Sequence, residues 1–313
     1  MSVKEGFLLK SFVDHYEVHR PIAWSQQFNS SGPLDLEIGC GNGELLVRMA
    51  KGAPQRNFIG IEQNWERVSK TLKRVSQEGL LNVRVLMVEA RMALERLFAL
   101  KSIENIYAIF PCPWPKKSHT KHRLFSHTFL RLMNSRLVAQ GHLKIVTDHQ
   151  PFVGWIMEQT DQTGFVAETR IIQPQYDTKY ERKWLAQGQR EFFELDFYKQ
   201  KHIDVPLKED VALKTYAVKD FNPGTFFLAE QRGSITVVQK DFLFDEKRKI
   251  AMLRLVVAEE SLTQHLWVTI VWDKGSWLIV PAQGNKFIPS EGIAQALKLV
   301  YEACQHSLIK KKL

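Results

Sequence analysis

The chain has 313 residues, a formal net charge of +9, 44% hydrophobic and 25% charged side chains, ordinary globular proportions with length for two cores. No uncharged apolar run reaches the roughly 18 residues of a membrane span, and Met1–Gly6 lacks the apolar core of a secretory signal. Cys40, Cys112 and Cys304 are odd in number and form no CxxC pair, which predicts neither a disulfide framework nor a zinc or other metal site and suits a reducing, cytoplasmic setting.

Short apolar runs then alternate with helical spacing. Leu34–Ile38 is a predicted strand ending in the glycine turn Gly39-Cys40-Gly41-Asn42-Gly43, with a helix from Glu44. Phe58–Ile61 is the next predicted strand, then a helix over Trp65–Gln77; Val83–Val88 follows, then a helix over Met92–Leu100. Ile106–Phe110 is a fourth expected strand, followed by a basic helix over Phe125–Val138, a strand Leu143–Val146 and a helix after Pro151. Phe165–Ile172 and Phe192–Phe197 are two late expected strands. Such alternation predicts a mainly parallel sheet covered on both faces, with ligands at the carboxyl ends of its strands. The glycine turn, Glu62, Glu89, the segment after Phe110 and Asp148 all fall at such ends.

The composition changes after Lys201. Val211–Val218, Phe226–Glu230, Ile235–Phe244, Ile250–Ala258, Leu266–Trp272 and Trp277–Val280 are expected to be β, with turns at Phe221–Gly224 and Asp273–Ser276. Residues Glu291–Ile309 are expected to form one helix, with Ile293, Leu297, Val300, Cys304 and Leu308 on one face. Two domains are therefore expected, 1–200 and 201–313, the second an antiparallel sheet crossed by a helix and carrying no functional motif.

Phe110-Pro111-Cys112-Pro113-Trp114-Pro115-Lys116-Lys117 leaves the fourth strand. Its three prolines fix φ and withhold donors, so it is expected to be a stiff, extended loop. An indole beside two lysines suits a partner with flat rings and phosphates, such as RNA. From Asn105 to Thr147 there is no Asp or Glu, while Lys116, Lys117, Lys121, Arg123, Arg131, Arg136 and Lys144 all lie there. This block is expected to attract a polyanion. His119, His122 and His127 have no thiol or carboxylate at ligand spacing and fit phosphate or solvent better than a metal. Trp114, Tyr180 and Trp184 suit either base stacking or core packing.

The glycines run GxGxG, with Glu37 before them and Glu62 closing the second strand. An acid at that second strand end can accept hydrogen bonds from ribose hydroxyls. Glu37 beside the turn can face a cation but would oppose a pyrophosphate, which favours S-adenosylmethionine over a dinucleotide. Glu89, after the third strand, is a third acid in place.

The pieces Leu36–Gly43, Gly60-Ile61-Glu62, the Pro-Trp-Pro-Lys-Lys loop, Thr147-Asp148 and Thr178–Trp184 together resemble bacterial tRNA (guanine-N7-)-methyltransferases over about residues 10–200. The resemblance implies a seven-stranded Rossmann-like S-adenosylmethionine-dependent methyltransferase fold, α/β in class, followed by an α+β carboxy-terminal domain that it does not cover. It implies methyl transfer to N7 of the variable-loop guanine, position 46, of tRNA. It implies Glu37, Gly39, Gly41, Gly43, Glu62 and Glu89 at the cofactor, and Lys116, Asp148, Thr178, Lys179, Tyr180 and Glu181 at the tRNA guanosine. Cys112 stands where the family has an aspartate that serves as active-site acid and cofactor contact, so it is both the catalytic candidate and a cofactor candidate. Ser118 replaces a usual Arg, His122 another basic residue, and Glu89 the commoner Asp.

Guanine N7 already carries a lone pair, so attack on a methyl group needs positioning rather than proton removal. A carboxylate at position 112 could offset the charge that develops on the purine; a cysteine there predicts weakened turnover, with Asp148 and Glu181 left to accept from the guanine edge. The alternative is a catalytically weakened or inactive tRNA-binding homologue, and a third reading is methylation of another RNA or a small molecule. The tail Lys310-Lys311-Lys312 suggests that the second domain extends RNA contact. Nothing in the sequence sets the oligomeric state.

Overall fold

Strand β1 (Leu34–Ile38) is buried along its whole length, including Asp35 and Glu37. It is an interior strand of a seven-stranded sheet with β2 (Asn57–Glu62), β3 (Val83–Met87), β4 (Ile103–Ile109), β5 (Leu137–Thr147), β6 (Phe165–Ile172) and β7 (Phe192–Lys199), in the order β3-β2-β1-β4-β5-β7-β6. Strands β1 to β5 pair in parallel, whereas β7 runs antiparallel between β5 and β6. The strand order reverses between β1 and β4, and a crevice is expected outside the carboxyl ends at such a point. This is the α/β methyltransferase-type sheet expected from the sequence. The computed structural model describes residues 10–309. The expectations on Met1–Gly6, the Lys310–Lys312 tail and the side chain of Leu308 lie outside the residues described.

The helices of this sheet are α1 (Trp24–Phe28), α2 (Glu44–Gly52), α3 (Trp65–Gln77), α4 (Ala90–Arg96), α5 (His127–Arg136), α6 (Gln150–Glu158) and α7 (Lys179–Ala186). Helix α3 shows why they form where they do. Asn64 caps it by accepting from the Arg67 N–H at 3.1 Å. Val68, Thr71, Leu72 and Val75 recur at steps of three and four and are all buried. Val68 and Val75 are fully enclosed, and each such side chain contributes about 1.5–3 kcal/mol.

Several boundaries differ from expectation. Helix α5 ends at Arg136 and β5 begins at once, six residues before the predicted start at Leu143. The β4–β5 register shifts between Ile103 and Asn105, and Gln140 is left-handed at φ 61°, so an irregular half-strand takes Leu137 and Val138, expected to be helix, and the unassigned residues up to Leu143. Helix α7 was not expected, because Glu181 is its only buried residue and it has no apolar stripe.

The chain divides into two compact units, Met1–Lys208 and Glu209–Leu313. The second is a five-stranded antiparallel sheet in the order β8-β12-β11-β10-β9, built from β8 (Tyr216–Val218), β9 (Ile235–Asp245), β10 (Ile250–Glu259), β11 (Leu262–Asp273) and β12 (Ser276–Pro281). Helix α8 (Glu291–Ile309) packs on it, with Ile293, Leu297, Val300 and Cys304 in one core with Leu253, Leu255 and Val268. The expected strand at Phe226–Glu230 does not form. Leu228 is buried there, but the segment's neighbour Gln231 makes a single bridge to Val237, so it covers the core without joining the ladder.

Candidate cofactor and substrate cleft

The carboxyl ends of β1, β2, β3 and β4 surround a cleft of about 650 Å³, a size suited to a small ligand. Glu37, Gly39, Gly41, Glu62, Glu89 and Cys112 line it from the side of the predicted cofactor. Asp148, Thr178, Lys179 and Tyr180 line it as well, so segments far apart in sequence meet in one cavity.

The glycine turn takes its shape from left-handed backbone at Gly39, Gly41 and Gly43, with φ 71°, 56° and 75°. Gly39 and Cys40 donate their N–H groups to the Ile61 carbonyl at 2.9 and 3.1 Å, and Gly41 donates to Glu62 Oε2 at 3.2 Å. These three donors are engaged within the protein, so the turn is not a phosphate nest. Gly43 does not line the cleft; a Cβ on it would come within 2.5 Å of Thr71 Cγ2, so it serves close packing against α3.

Glu37 supplies the unusual electrostatics. It is buried, and its Oε2 has no hydrogen-bond partner among the described residues. Burial pushes its pKa up to about 8, against the opposing pull of the Arg48 charge and a hydrogen bond from the Leu46 backbone. A buried carboxylate with an orphaned oxygen is costly unless a cation or donor meets it. The amino acid end of S-adenosylmethionine carries such a cation, so the residues fit that cofactor.

Glu62 is held from several sides. Its Oε1 accepts the N–H groups of Gln63 and Asn64 at 2.9 and 3.0 Å, and Arg67 Nη1 stands 3.7 Å from Oε2. Glu89 has a second task that the sequence reading missed: its Oε2 caps α4 by accepting the Met92 N–H at 2.9 Å.

Cys112 is exposed at the cleft, on the expected proline loop. That loop is shaped by two bulky residues in the left-handed region, Phe110 at φ 55° and Trp114 at φ 44°. Such positions cost about 1–3 kcal/mol each and persist only where surrounding contacts enforce them. Arg123 is one enforcer. Its Nε donates to the Pro113 carbonyl at 3.0 Å, and its guanidinium lies over the rings of Trp155 and Phe152, 5.0 and 5.6 Å from their centroids. Trp114 packs against His122 and His119 at 5.1 and 5.7 Å.

The basic block disperses on folding. Arg136 is wholly buried and donates to the carbonyls of Leu94 and Val205 at 2.6 and 2.7 Å. Lys144 pairs with Glu194 at 3.1 Å and Asp196 at 3.2 Å. With Arg123 holding the loop, Lys116, Lys117 and Lys121 are the exposed lysines of that stretch. The acids that neutralise Lys144 come from the neighbouring strand β7, which the local charge count could not see. Lys116 lies outside the cleft lining.

Thr178-Lys179-Tyr180-Glu181 has the Thr-x-x-Glu pattern of a capping box, of which the threonine half forms while the glutamate reaches further back along the chain. Thr178 caps α7 by accepting the Glu181 N–H at 3.2 Å. Glu181 is buried and does not line the cleft. Its Oε1 accepts the N–H groups of Gln175 and Tyr176 at 2.9 and 3.1 Å, and its Oε2 accepts that of Asp177. The expected guanine contact at Glu181 is therefore corrected: its carboxylate shapes the preceding loop. The motif Thr-x-x-Glu was the signal for this role. The sequence reading also missed Glu44, whose Oε2 accepts the Lys179 N–H at 2.7 Å and whose Oε1 meets Arg182 Nη2 at 2.8 Å.

The family described as "Putative methyltransferase" matches residues 31–194. The tRNA (guanine-N(7)-)-methyltransferase of Chlorobium phaeobacteroides is 42% identical over 183 residues, 58% of this chain and 90% of that protein. The Aquifex aeolicus protein of the same name is 27% identical over 297 residues, 92% of this chain and 97% of its own length, so the likeness runs past residue 200 into the second unit. Among solved structures, the 16S rRNA methyltransferase KamB superposes with a TM-score of 0.47 at 17% identity over 57% of this chain and 93% of that one. The family match over residues 31–194 and the 42% identity to the Chlorobium protein show that the chain belongs to the tRNA (guanine-N7-)-methyltransferase family.

Proposed function

We propose that this protein methylates N7 of the guanosine at position 46, in the variable loop of tRNA. Its family membership makes it an S-adenosylmethionine-dependent methyltransferase acting on tRNA guanine N7. The observation that carries the reading is the meeting, in one cleft, of the orphaned Glu37 carboxylate with Asp148 and the segment from Thr178 to Tyr180.

When bound, S-adenosylmethionine supplies an electrophilic methyl group on a sulfonium. Glu37 meets the cationic end, and Glu62 and Glu89 offer the oxygen lone pairs left by their backbone contacts. N7 needs no base, so the protein's task is to hold the purine in line and exclude competing nucleophiles. Asp148 accepts from the guanine edge and offsets positive charge on the ring. Cys112 replaces the family acid with a shorter, less polar group, and Glu181 is engaged elsewhere, so that task falls to Asp148. Lys116 and Lys117 contact the phosphates from the rim.

The test is incubation with unmodified tRNA and methyl-labelled donor, followed by mapping of the product. Label at N7 of guanosine 46 supports the reading, and label on another nucleotide refutes the position. A protein that binds tRNA and the demethylated cofactor but transfers nothing would support the binding homologue that Cys112 raises.

A further inference from the structure

Two arginines stand between the donor-side acids and the segment 176–180. Arg67, in the first turn of α3, lies 3.7 Å from Glu62 Oε2 through Nη1 and donates Nη2 to the Tyr180 hydroxyl at 3.2 Å. Arg48, on α2, is the charge that partly offsets burial of Glu37, and it donates Nη2 to the Tyr176 carbonyl. Glu44, the first residue of α2, completes the clasp through the Lys179 N–H. Glu62 thus meets an arginine that reaches the segment, Glu37 feels the Arg48 charge without an ion pair to it, and both arginines end on the same five residues.

These contacts lie at the rim rather than in the sheet core. Arg67 keeps 45% of its side chain exposed, and Tyr180 is 38% exposed. Exposed ion pairs add little to fold stability, so stability alone does not account for two arginines ending on this segment. Fixing the Glu62 carboxylate fixes Arg67, which leans on it, and Arg67 fixes Tyr180 in the segment. A second ligand then meets a segment already ordered and loses less entropy on binding. Resting on the methyl-transfer reading above, we propose that Arg67 is a positioning residue that couples donor occupancy to the placement of residues 176–180, which Arg48 also holds at Tyr176, so that donor and tRNA raise each other's affinity. The coupling must be reciprocal, because it is a free energy shared by both binding equilibria.

The experiment measures the affinity of the full-length protein for S-adenosylhomocysteine, with and without saturating unmodified tRNA, in the wild type and in R67M, R48M and Y180F. Wild-type affinity is expected to rise about tenfold with tRNA, inside the usual range for linked sites. In R67M and Y180F the factor is expected to fall below about twofold; it is a ratio taken within one protein, so it reads the coupling whatever each substitution does to affinity without tRNA. A second readout is amide exchange over 176–180 in the ligand-free protein, which should quicken in R67M and R48M with an unchanged melting temperature. An unchanged coupling factor in both R67M and Y180F overturns the proposal, as does a wild-type factor of one. Those results differ from failure of the underlying reading, in which the wild type binds no S-adenosylhomocysteine with or without tRNA.

Discussion

The Glu44 carboxylate accepts the backbone N–H of Lys179 at 2.7 Å across 135 residues of sequence. It ties the helix that follows the glycine turn to the segment 178–180 that lines the cleft. Replacing it by Ala removes the acceptor for both Lys179 and Arg182. Hydrogen bonds to charged groups are the stronger class, and with partial exposure a loss of about tenfold in kcat/KM for tRNA is expected. Steady-state kinetics of E44A, alongside its affinity for S-adenosylhomocysteine, check this; the affinity should change far less than kcat/KM.

Glu37 should govern both donor binding and the pH response of the ligand-free protein. E37Q is expected to lower affinity for S-adenosylhomocysteine by tenfold or more, roughly the loss from removing one partner of a buried charge pair. Its folded pKa, about 8, lies above its ordinary value of 4.5. The protonated form is the one the fold favours, so its full contribution to stability is present below about pH 4.5 and is lost as pH rises through about 8. Thermal melts from pH 6 to 9 should therefore show the wild type losing stability relative to E37Q.

The opposite sign holds for Glu194. Burial would raise its pKa, but hydrogen bonds from Tyr176, Arg170 and Lys144 outweigh that and bring it down to about 2. Its contribution is present above about pH 4.5 and is lost as pH falls through about 2. Glu194 is fully buried, and E194Q should cost about 3 kcal/mol at pH 7, at the low end for breaking a buried charge network. Urea denaturation at pH 7 and pH 3 should show the gap between the two proteins narrowing in acid.

Restoring a carboxylate at the proline loop should help the chemistry. C112D is expected to raise kcat on unmodified tRNA by tenfold or more, in line with the size of single electrostatic contributions at reacting centres. Single-turnover assays separate this from binding. A gain that starts from an undetectable wild-type rate would mark the natural protein as a binding homologue, and no gain would show that Asp148 already suffices.

Arg123 offers a test of the loop itself. R123M removes the donor to Pro113 and the cation over Trp155 while keeping much of the aliphatic stem. The expected result is a fall of about tenfold in kcat/KM for tRNA, with little change in S-adenosylhomocysteine affinity. Equal losses in both would show that Arg123 supports the whole cleft rather than the loop.

Much of the donor side was legible because its signals are local. A glycine turn between an apolar strand and a helix, with an acid closing the next strand, needs only neighbouring residues to be read. The substrate side was harder. Thr178 and Glu181 were visible as a pair, but a capping box and a ligand contact use the same residue types, and only the three N–H groups at Glu181 decide between them. Helix α7 has no apolar stripe to announce it. The basic block misled because Lys144 is neutralised across strands and Arg136 is satisfied by carbonyls inside the fold. Arg48, Arg67 and Glu44 carried no motif, since their partners in residues 176–182 lie more than a hundred residues away.

The engagement of Glu181 with three consecutive main-chain amides has a kinetic consequence. In the donor-loaded protein, a stretch whose amides are already satisfied has little left to fold when nucleic acid arrives, so docking there proceeds as an encounter of near-rigid bodies. Its rate should then follow diffusion and ionic strength, with a single association phase rather than a slow rearrangement after contact. Loosening those amides in E181Q should introduce that slower phase, moving the bottleneck from collision to local ordering.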